Sequence, residues 1–343
     1  MKIAIHNSED GFHPRWVSYC KNNNISYKVV NCYDNDIIEQ LEDFDALFWH
    51  HSHSLSKDIL SAKQLLFSLE QSGKKVFPDF NTAWHFDDKI GQKYLLESIK
   101  APLVKSYVFY SKKEALDWAK KTNFPKVFKL RGGSGSANVK LIKTESEAIK
   151  HINKAFGKGY RQYQPLSNLK ERWRKYRNGL TNFYDLIKGV VRFYKEPEFS
   201  KIIGYERGYI YFQDFIPNND SDIRVVVINK RAFALKRMVR KGDFRASGSG
   251  NMKFGKKEFD ERCVRMGFET SKKLDAQCLA YDFVFDEANN PLIVEISFGF
   301  AVKAYDHCPG YWDNDLNWHE GKFNPQEWIL EDLILLTNKN ELR

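Results

Sequence analysis

The sequence predicts an α/β fold in which a small domain with a parallel sheet precedes a larger α+β region. In the first 80 or so residues, short apolar strands alternate with helical patterns, which is typical of βαβ units. From about Asp87 a strand, a loop of small residues and another strand follow closely, which predicts a hairpin. Beyond Tyr209 the strands alternate as antiparallel strands do. The chain therefore combines a parallel-sheet unit with a mixed region.

The first unit has the strand and helix order of a small Rossmann-like domain. The predicted strands are Lys2–His6, Ser26–Asn31, Ala46–Trp49 and Lys75–Phe77, and the helices are Pro14–Asn23 and Lys57–Ser72. No GxGxxG motif follows the first strand, so dinucleotide binding is not predicted.

The remaining elements are predicted from their apolar periodicity. The helices are Asp88–Ser98, Lys112–Thr122 and a segment near Lys257–Leu274. The strands are Ser106–Phe109, Lys126–Leu130, Val139–Ile142, Tyr209–Phe212, Ile223–Ile228, Ala232–Val239, Ala280–Phe285 and Pro291–Ile296.

Composition limits the class of protein. The 343 residues are 42% hydrophobic and 15% aromatic, which fits a folded chain of two or three domains. We find neither a signal peptide nor a run of about 18 apolar residues, and the five cysteines are scattered without a CxxC pair. These features predict a cytoplasmic protein without disulfides or a structural zinc site. The net charge of +10 favours anionic partners without choosing among them.

Two lysines lie in contexts that suit phosphate binding. Lys89 precedes an apolar helix, and Lys129 ends the strand before the small residues Gly132, Gly133, Ser134 and Gly135. An ammonium group is a point charge for phosphate, and glycines let backbone amides approach an anion closely. A single lysine is most often a solvated surface charge, but the position of Lys129 favours a phosphate-binding role.

A series of polar motifs lies between Gln213 and Arg245. Gln213-Asp214-Phe215-Ile216 ends an apolar strand, and Asp222, Arg224, Arg237 and Arg245 lie in or next to strand-rich sequence. Arginine grips carboxylate and phosphate oxygens two at a time, so half-buried arginines here need anionic partners. Isolated ion pairs are the alternative explanation.

The last hairpin places acidic residues on facing strands. Asp282 lies in the strand Ala280–Phe285, while Glu295 and Ser297 lie at the end of the following strand. Carboxylates on adjacent strands can bridge hard cations that are bound to phosphates. Because Glu295 is flanked by Val294 and Ile296, it should point away from these apolar neighbours, toward a site or toward solvent.

From roughly Thr82 to Val302, these motifs in this order resemble the ATP-grasp fold, and most closely its glutathione-synthetase-like branch with the RimK-type ligases. The resemblance implies that nucleotide binds between two α+β subdomains, with domains at 1–84, 85–208 and 209–343. It implies nucleotide-binding, catalytic and metal roles for the residues of the motifs. They are Lys89, Lys129, Gly132, Gly133, Ser134, Gly135, Gln213, Asp214, Phe215, Ile216 and Asp222 for the nucleotide, Arg224, Arg237 and Arg245 for catalysis, and Asp282, Glu295 and Ser297 for metal.

The resemblance also implies the activity: an ATP-dependent carboxylate–amine ligase that uses ATP and Mg²⁺ and forms an acyl phosphate. The family normally has Glu-x-Asn where this chain has Glu295 and Ser297, which puts a second metal ion in doubt. The partners expected are small carboxylate and amine substrates, and a homo-oligomer is expected. The most concrete hypothesis is a ligase that joins an amino acid or amine to a uronic-acid sugar in surface-polysaccharide biosynthesis. The alternatives are a ligase for a peptide or protein acceptor and a catalytically impaired nucleotide-binding module.

The segment of about residues 150–208 is a basic, aromatic insertion. Its basic residues include Arg172, Arg174, Lys175, Arg177, Arg192 and Lys195, interleaved with Trp173, Tyr176, Tyr184, Phe193 and Tyr194. The simplest interpretation is a helical subdomain with a solvated basic face. Docking of an anionic glycan, a lipid-linked sugar or a membrane surface is the functional alternative. Aromatic and basic residues also suit RNA, but we find no RNA-binding motif, so nucleic acid is not an expected partner.

Three histidines follow the third strand. His50, His51 and His53 lack helical spacing and nearby acidic or thiol partners, which disfavours a zinc site. We interpret the segment as a plain loop, with a role in lining the acceptor pocket as the alternative.

Overall fold

A computed structural model describes most of the chain. The described residues are 1–8, 11–132, 138–177, 179, 181–194, 196–240, 242–246 and 250–340. The side chains of residues 175, 194 and 336–340 are outside this description.

The N-terminal unit has a parallel sheet with the strand order β2-β1-β3-β4. Its strands are β1 (Ile3–His6), β2 (Tyr27–Val30), β3 (Ala46–Phe48) and β4 (Lys75–Phe77). Its helices are α1 (His13–Asn22), α2 (Ile37–Gln40), α3 (Ser56–Gln71) and α4 (Phe80–Ala83). Because Ala62, Leu66 and Leu69 recur at helical spacing, α3 buries one face. The parallel pairing predicted for a Rossmann-like unit is present.

A second sheet has four strands in the order β5-β10-β6-β7, and the pairings are antiparallel. The strands are β5 (Ser106–Phe109), β6 (Lys126–Lys129), β7 (Lys140–Ile142) and β10 (Ile210–Asp214), and the helices are α5 (Lys89–Ser98), α6 (Lys112–Ala119) and α7 (Glu145–Ala155). The strand β10 follows the boundary predicted at residue 209, yet it pairs with β5 and β6. The domain boundaries remain a prediction.

The insertion is helical in its described part. It contains α8 (Pro165–Arg177), α9 (Phe183–Tyr194) and α10 (Glu198–Ile203), between the short paired strands β8 (Tyr160–Arg161) and β9 (Tyr205–Glu206). The helices α8 and α9 pack against each other. Leu186 of α9 is buried, and a side-chain carbon on Gly189 would come within 2.8 Å of the Arg172 side chain, so the glycine permits close packing.

The C-terminal part is built on a seven-stranded sheet with the order β15-β14-β11-β12-β16-β17, in which β13 also pairs with β12. The strands are β11 (Ser221–Ile228), β12 (Arg231–Met238), β13 (Met252–Lys253), β14 (Cys278–Phe285), β15 (Pro291–Ser297), β16 (Gly310–Asp313) and β17 (Trp318–Glu320). The helices are α11 (Glu261–Leu274) and α12 (Pro325–Asn340). The helix predicted near Lys257 begins at Glu261, because Asp260 caps it.

The N-terminal unit and the large sheet share one hydrophobic core. Trp16 of α1 is fully buried and donates from Nε1 to the backbone oxygen of Gln326 at 2.9 Å. Phe77 of β4 contacts Phe298, which follows β15, with ring centroids 6.2 Å apart. This packing fixes the loop after β3 against the end of β15. Among the described residues, the helices are too short or too polar to span a lipid bilayer.

Candidate active site

A cleft of about 550 Å³ lies between the four-stranded sheet and the seven-stranded sheet. The sequence-predicted residues that line it are Lys89, Lys129, Gln213, Asp214, Phe215, Ile216, Asp222, Arg224, Arg237, Arg245, Asp282, Glu295 and Ser297. These residues come from separate segments between positions 89 and 297, and the fold brings them together in one place. Their roles remain predictions.

The register of three strands creates a row of charges across the floor of the cleft. Asp282 of β14 is the direct cross-strand partner of Arg224 on β11 and of Glu295 on β15. A β-bulge in β15 next to Asp282 leaves Val294 outside the regular pairing. The bulge lets both Val294 and Glu295 line the cleft, whereas strict alternation would have pointed them to opposite faces. Ile296 also lines the cleft, so Glu295 is not separated from its apolar neighbours as strict alternation would require.

Two arginines hold Asp282. Arg224 donates from Nε and Nη2 to the two carboxylate oxygens at 2.5 and 2.8 Å, and Arg237 Nη2 lies 2.8 Å from Oδ2. Arg237 also grips Asp222 with two hydrogen bonds of 2.6 Å. Burial opposes ionisation of Asp282, but the two guanidinium groups outweigh it and hold the pKa of this carboxyl well below its usual range. One ion-pair network thus joins residues predicted for three roles: Asp222 for the nucleotide, Arg224 and Arg237 for catalysis, and Asp282 for metal.

Lys129 has a different environment. It is the last residue of β6, its side chain is 5% exposed, and Nζ donates to Oε1 of Gln213 at 2.6 Å. Gln213 in turn donates to Ser106 Oγ and to the backbone oxygen of the bulged Val294. Burial lowers the pKa of Lys129 to about 8, because the acids of the floor compensate only part of the lost solvation. Lys129 is therefore a buried cation with a neutral direct partner, and it is suited to an anionic ligand.

Lys89 begins α5, because Asp88 caps the helix by accepting from the backbone amides of Ile90 and Gly91. Its Nζ lies 3.5 Å from Glu295 Oε1. Burial would lower the pKa of Lys89, but the charges of Glu295, Asp87 and Glu206 raise it instead. Gln92 lies one turn further on the same buried face and accepts from the backbone amide of Ile296 at 3.3 Å. Sequence reasoning missed Gln92, although its spacing from Lys89 indicates the shared face.

The predicted small-residue loop is described only at its start. Gly132 lies next to Gln162, whose Nε2 would be 2.1 Å from a side-chain carbon at that position, so a larger residue would clash with this amide. Gly133, Ser134 and Gly135 lie outside the described residues. The hairpin that carries the loop is present, since β6 and β7 pair in antiparallel register.

The segment after β10 connects the two sheets. Asp214 accepts from Lys126 Nζ at 2.6 Å, and Phe215 and Ile216 line the cleft. Asn219 then bonds to the backbone of β14, donating to the Phe285 oxygen at 2.9 Å and accepting from its amide at 2.8 Å. This clamp fixes the position of the predicted nucleotide-binding residues Phe215 and Ile216 relative to the charged floor.

The other predicted residues lie at the edges. Arg245 is held by a fork of hydrogen bonds to Asp243, two residues earlier. Ser297 donates to the backbone oxygen of Gly299 at 3.1 Å and accepts from its amide at 3.2 Å, as short hydroxyl side chains often do. Among the described residues, no three His, Cys, Asp or Glu side chains form a metal-binding group. The residues predicted for metal, Asp282, Glu295 and Ser297, all line the cleft, and their metal role remains a prediction.

The histidine segment lines the cleft and is not a plain exposed loop. His50 stacks on Phe12 with ring centroids 3.7 Å apart, and His51 packs against Phe298 at 4.8 Å. Burial lowers the pKa of His50 to about 3 and that of His51 well below its usual value, so both rings are neutral at pH 7. Phe12 lies 38 positions before His50, and Phe298 lies 247 positions after His51. Local sequence reasoning could therefore not choose between the plain loop and the alternative of a segment that lines the pocket.

The insertion differs from the predicted basic face. Arg172 is paired with Asp185, and Arg174 is paired with Glu171 at 2.7 Å. Much of the exposed surface is apolar or aromatic, with Tyr184 74% exposed. Lys195 and the side chains of Lys175 and Tyr194 lie outside the described part of the chain. The difference arises because Arg172 and Arg174 of α8 pair with acids within the insertion, whereas Arg177 stays exposed.

Comparison with known proteins agrees with this architecture. The model of the RimK-like ATP-grasp domain matches residues 188–308. The α-aminoadipate–LysW ligase LysX of Saccharolobus solfataricus is 21% identical over 278 residues, which are 80% of this chain and 84% of the relative.

Two solved structures share the fold. D-cycloserine synthetase DcsG has a TM-score of 0.58 at 12% identity, and the match covers 97% of this chain and 100% of that one. The biotin carboxylase domain of 2-oxoglutarate carboxylase from Hydrogenobacter thermophilus, solved as a dimer with MgADP and bicarbonate, has a TM-score of 0.54 at 13% identity. That match covers 88% of this chain and 65% of that chain.

The fold is the ATP-grasp fold, as the match to the RimK-like ATP-grasp domain and the architecture shared with these structures show. More narrowly, the chain contains a RimK-like ATP-grasp domain. The predicted fold class and the predicted family resemblance are confirmed.

Proposed function

We propose that this protein activates a substrate carboxylate with ATP and transfers the acyl group to an amine. The observation that carries the proposal is the convergence of Lys89, Lys129, the two floor arginines and two acids in one cleft between two sheets. Cations on both walls suit a triphosphate and a carboxylate, and the clamp at Asn219 positions an apolar segment beside them.

The residues present fit a nucleotide with its metal. Lys129 is a buried cation in a solvent-accessible cleft, which an anionic ligand would stabilise. Asp282 and Glu295 are neighbours across two strands, and with Ser297 they would hold Mg²⁺ at the phosphates. The metal would supply positive charge that neutralises the phosphate oxygens.

The chemistry requires positioning more than a nucleophilic side chain. A carboxylate oxygen of the substrate would attack the γ-phosphorus of ATP, and the bond from phosphorus to the ADP oxygen would break. The amine would then attack the acyl carbon, phosphate would leave, and the amine would lose a proton. Lys89, Lys129 and Arg245 would hold the charges that develop, while the Asp282 network keeps Arg224 and Arg237 in place.

The substrates are proposed at the level of chemical class. An amino acid or amine joined to a uronic-acid sugar, in surface-polysaccharide biosynthesis, is the hypothesis from the sequence. Lys129, a buried cation of the cleft whose direct partner is a neutral amide, is what supports an anionic substrate such as a carboxylate. The relative LysX is named for α-aminoadipate and LysW, which favours testing amino acids and a protein acceptor alongside. We also expect a homo-oligomer, which light scattering of the purified protein would test.

A nucleotide-binding module without turnover is the second candidate, because the Ser297 hydroxyl bonds to the backbone of Gly299 and stands where the family normally has an asparagine. The experiment that separates the two measures ADP release with ATP and Mg²⁺ in the presence of pooled amino acids, amines and uronic acids. We expect ADP release that requires both a carboxylate and an amine, and its loss in Lys129→Met. The matched control is Lys140→Met on the neighbouring strand, where the side chain is exposed.

Each result has a distinct meaning. An ATP-dependent rise in melting temperature without ADP release from any pool would favour the nucleotide-binding module. If ATP neither raises the melting temperature nor is converted to ADP, both candidates are contradicted.

A further inference from the structure

The helical insertion exposes an apolar and aromatic surface that the proposed reaction does not use. Its α9 helix buries Leu186 against α8, while Phe183, Tyr184, Ile187, Val190 and Val191 are 45% to 74% exposed. Trp173 of α8 is 54% exposed. Single exposed apolar residues are ordinary, but a cluster of large ones on one helix pair is typical of an interaction surface.

The charged side chains on the same two helices are mostly positive. The segment 165–194 has seven Lys or Arg residues and only two acids, Glu171 and Asp185. Both acids are engaged in ion pairs, with Arg174 and Arg240 for Glu171 and with Arg172 for Asp185. The exposed cations are Lys170, Arg177, Lys188 and Arg192. The apolar surface is therefore flanked by positive charge whose neighbouring acids are already neutralised.

We propose that this surface of α8 and α9 docks onto an anionic lipid bilayer. Aromatic rings and aliphatic side chains enter the boundary between headgroups and acyl chains, and Lys188 and Arg192 extend their charged ends to the lipid phosphates. The helices lie in the plane of the interface and do not cross the bilayer, in agreement with their lengths of 13 and 12 residues.

Two other occupants fit less well. A second copy of the chain on a two-fold axis would bring the same cations against each other, because such an interface uses the same patch on both subunits. Single-stranded RNA would use the aromatic rings for stacking but would leave Ile187, Val190 and Val191 without a partner. A bilayer with acidic headgroups matches both the apolar and the charged residues.

The surface is linked to the cleft. Arg240, whose side chain is 3% exposed, pairs with Glu171 of α8 at 3.0 Å. Its backbone amide donates to the backbone oxygen of Arg245, which lines the cleft. Docking would therefore place the cleft close to the bilayer, whatever reaction takes place in it.

The test is co-sedimentation of the full chain with vesicles of phosphatidylcholine, with and without phosphatidylglycerol. We expect binding to the vesicles that contain phosphatidylglycerol and little binding to phosphatidylcholine alone. Raising the salt concentration should weaken binding, because screening shortens the Debye length from about 10 Å at 0.1 M to about 3 Å at 1 M.

Two double variants probe the two parts of the surface. Ile187→Asp with Val191→Asp should weaken vesicle binding at least tenfold, and Lys188→Glu with Arg192→Glu should do the same. The matched control is Lys112→Glu with Lys113→Glu, which makes the same change of charge on the exposed start of α6 and should leave binding unchanged. All variants should keep the ATP-dependent rise in melting temperature, which shows that they fold.

The proposal is overturned if the wild-type chain fails to sediment with vesicles containing phosphatidylglycerol at low salt. It is also overturned if the α9 variants bind as well as the wild type. A dimer that the Ile187→Asp and Val191→Asp variant dissociates, without vesicle binding by the wild type, would assign the surface to a second copy. Binding to RNA alone would assign it to nucleic acid.

Discussion

The two walls of the cleft hold positive charge in different ways. On the seven-stranded sheet, Arg224 and Arg237 are already paired with buried carboxylates, and burial does not prevent them from being fully charged. On the other wall, Lys129 has the neutral amide of Gln213 as its direct partner, and burial lowers its pKa to about 8. The arginines of the seven-stranded sheet therefore have their charges neutralised without a ligand, whereas Lys129 on the other wall does not.

This difference separates positioning from binding. A network of paired arginines and aspartates is rigid, and its cost of desolvation is offset within the protein. A buried lysine without a carboxylate in direct contact destabilises the free protein, and an anion in the cleft would relieve that penalty. We therefore expect variants of the arginine wall to lose stability, and variants of the lysine wall to lose ligand binding.

The largest expected effect is on the arginine wall. Arg237→Gln removes the guanidinium group that grips Asp222, while Asp282 keeps its pair with Arg224. The change should lower the free energy of unfolding by about 3–5 kcal/mol, the cost of breaking a buried ion pair by removing one partner. Urea unfolding checks this. The control is Lys236→Gln on the same strand, which is partly exposed and should change stability by about 0.5 kcal/mol or less. Equal effects of the two changes would contradict the idea of a charge network.

The arginine wall also shows which features of the site can be predicted from the sequence. Apolar periodicity predicts the strands, and the family motifs predict that Arg224, Arg237 and Asp282 share a site. The sequence does not give the register of β11 against β14 or the bulge beside Glu295, because both depend on contacts between strands that are distant in the chain. The exposed surface of α9 could not be predicted for the same reason: the helix is apolar on most sides, so its sequence does not indicate which side packs on α8.

The next effect tests the lysine wall by pH. The pKa of Lys129 is about 8 in the folded chain against 10.5 as the ordinary value, so the folded state loses this proton first. Wild-type stability should therefore rise between pH 8 and 10.5, by on the order of 3 kcal/mol from this group. Lys129→Met lacks this rise, so its stability relative to the wild type should be highest below pH 8.

Urea unfolding of both proteins at pH 7 and pH 10 measures the difference. A difference that does not change with pH would mean that Lys129 is solvated. The same variant should lose the increase in melting temperature that ATP and Mg²⁺ give the wild type, so the gain in stability and the loss of binding should appear together.

Glu295 lies where the two walls meet, since it pairs with Lys89 at 3.5 Å and is the cross-strand partner of Asp282. Glu295→Gln keeps the shape but removes one charge from the predicted metal site. Turnover should fall about 10²-fold at saturating ATP, a loss typical of removing one electrostatic contact from a transition state. ADP release measures this, with Glu97→Gln on the exposed side of α5 as the control. Normal turnover would make Glu295 a structural partner of Lys89 only.

The smallest expected effect is at Ser297. Variants of this residue test whether a stronger Mg²⁺ ligand beside the arginine wall improves turnover. An asparagine carbonyl reaches further than a hydroxyl and ligates Mg²⁺ better, so Ser297→Asn should lower the Mg²⁺ concentration for half-maximal turnover by less than about tenfold. The hydrogen bonds to Gly299 would be lost, at a cost of about 1 kcal/mol in the free energy of unfolding. Ser297→Ala separates these effects, because it removes the same hydrogen bonds but supplies no ligand. If Ser297 only stabilises the turn, both variants should need the same Mg²⁺ concentration as the wild type. If the hydroxyl ligates the metal, alanine should raise the required concentration while asparagine lowers it.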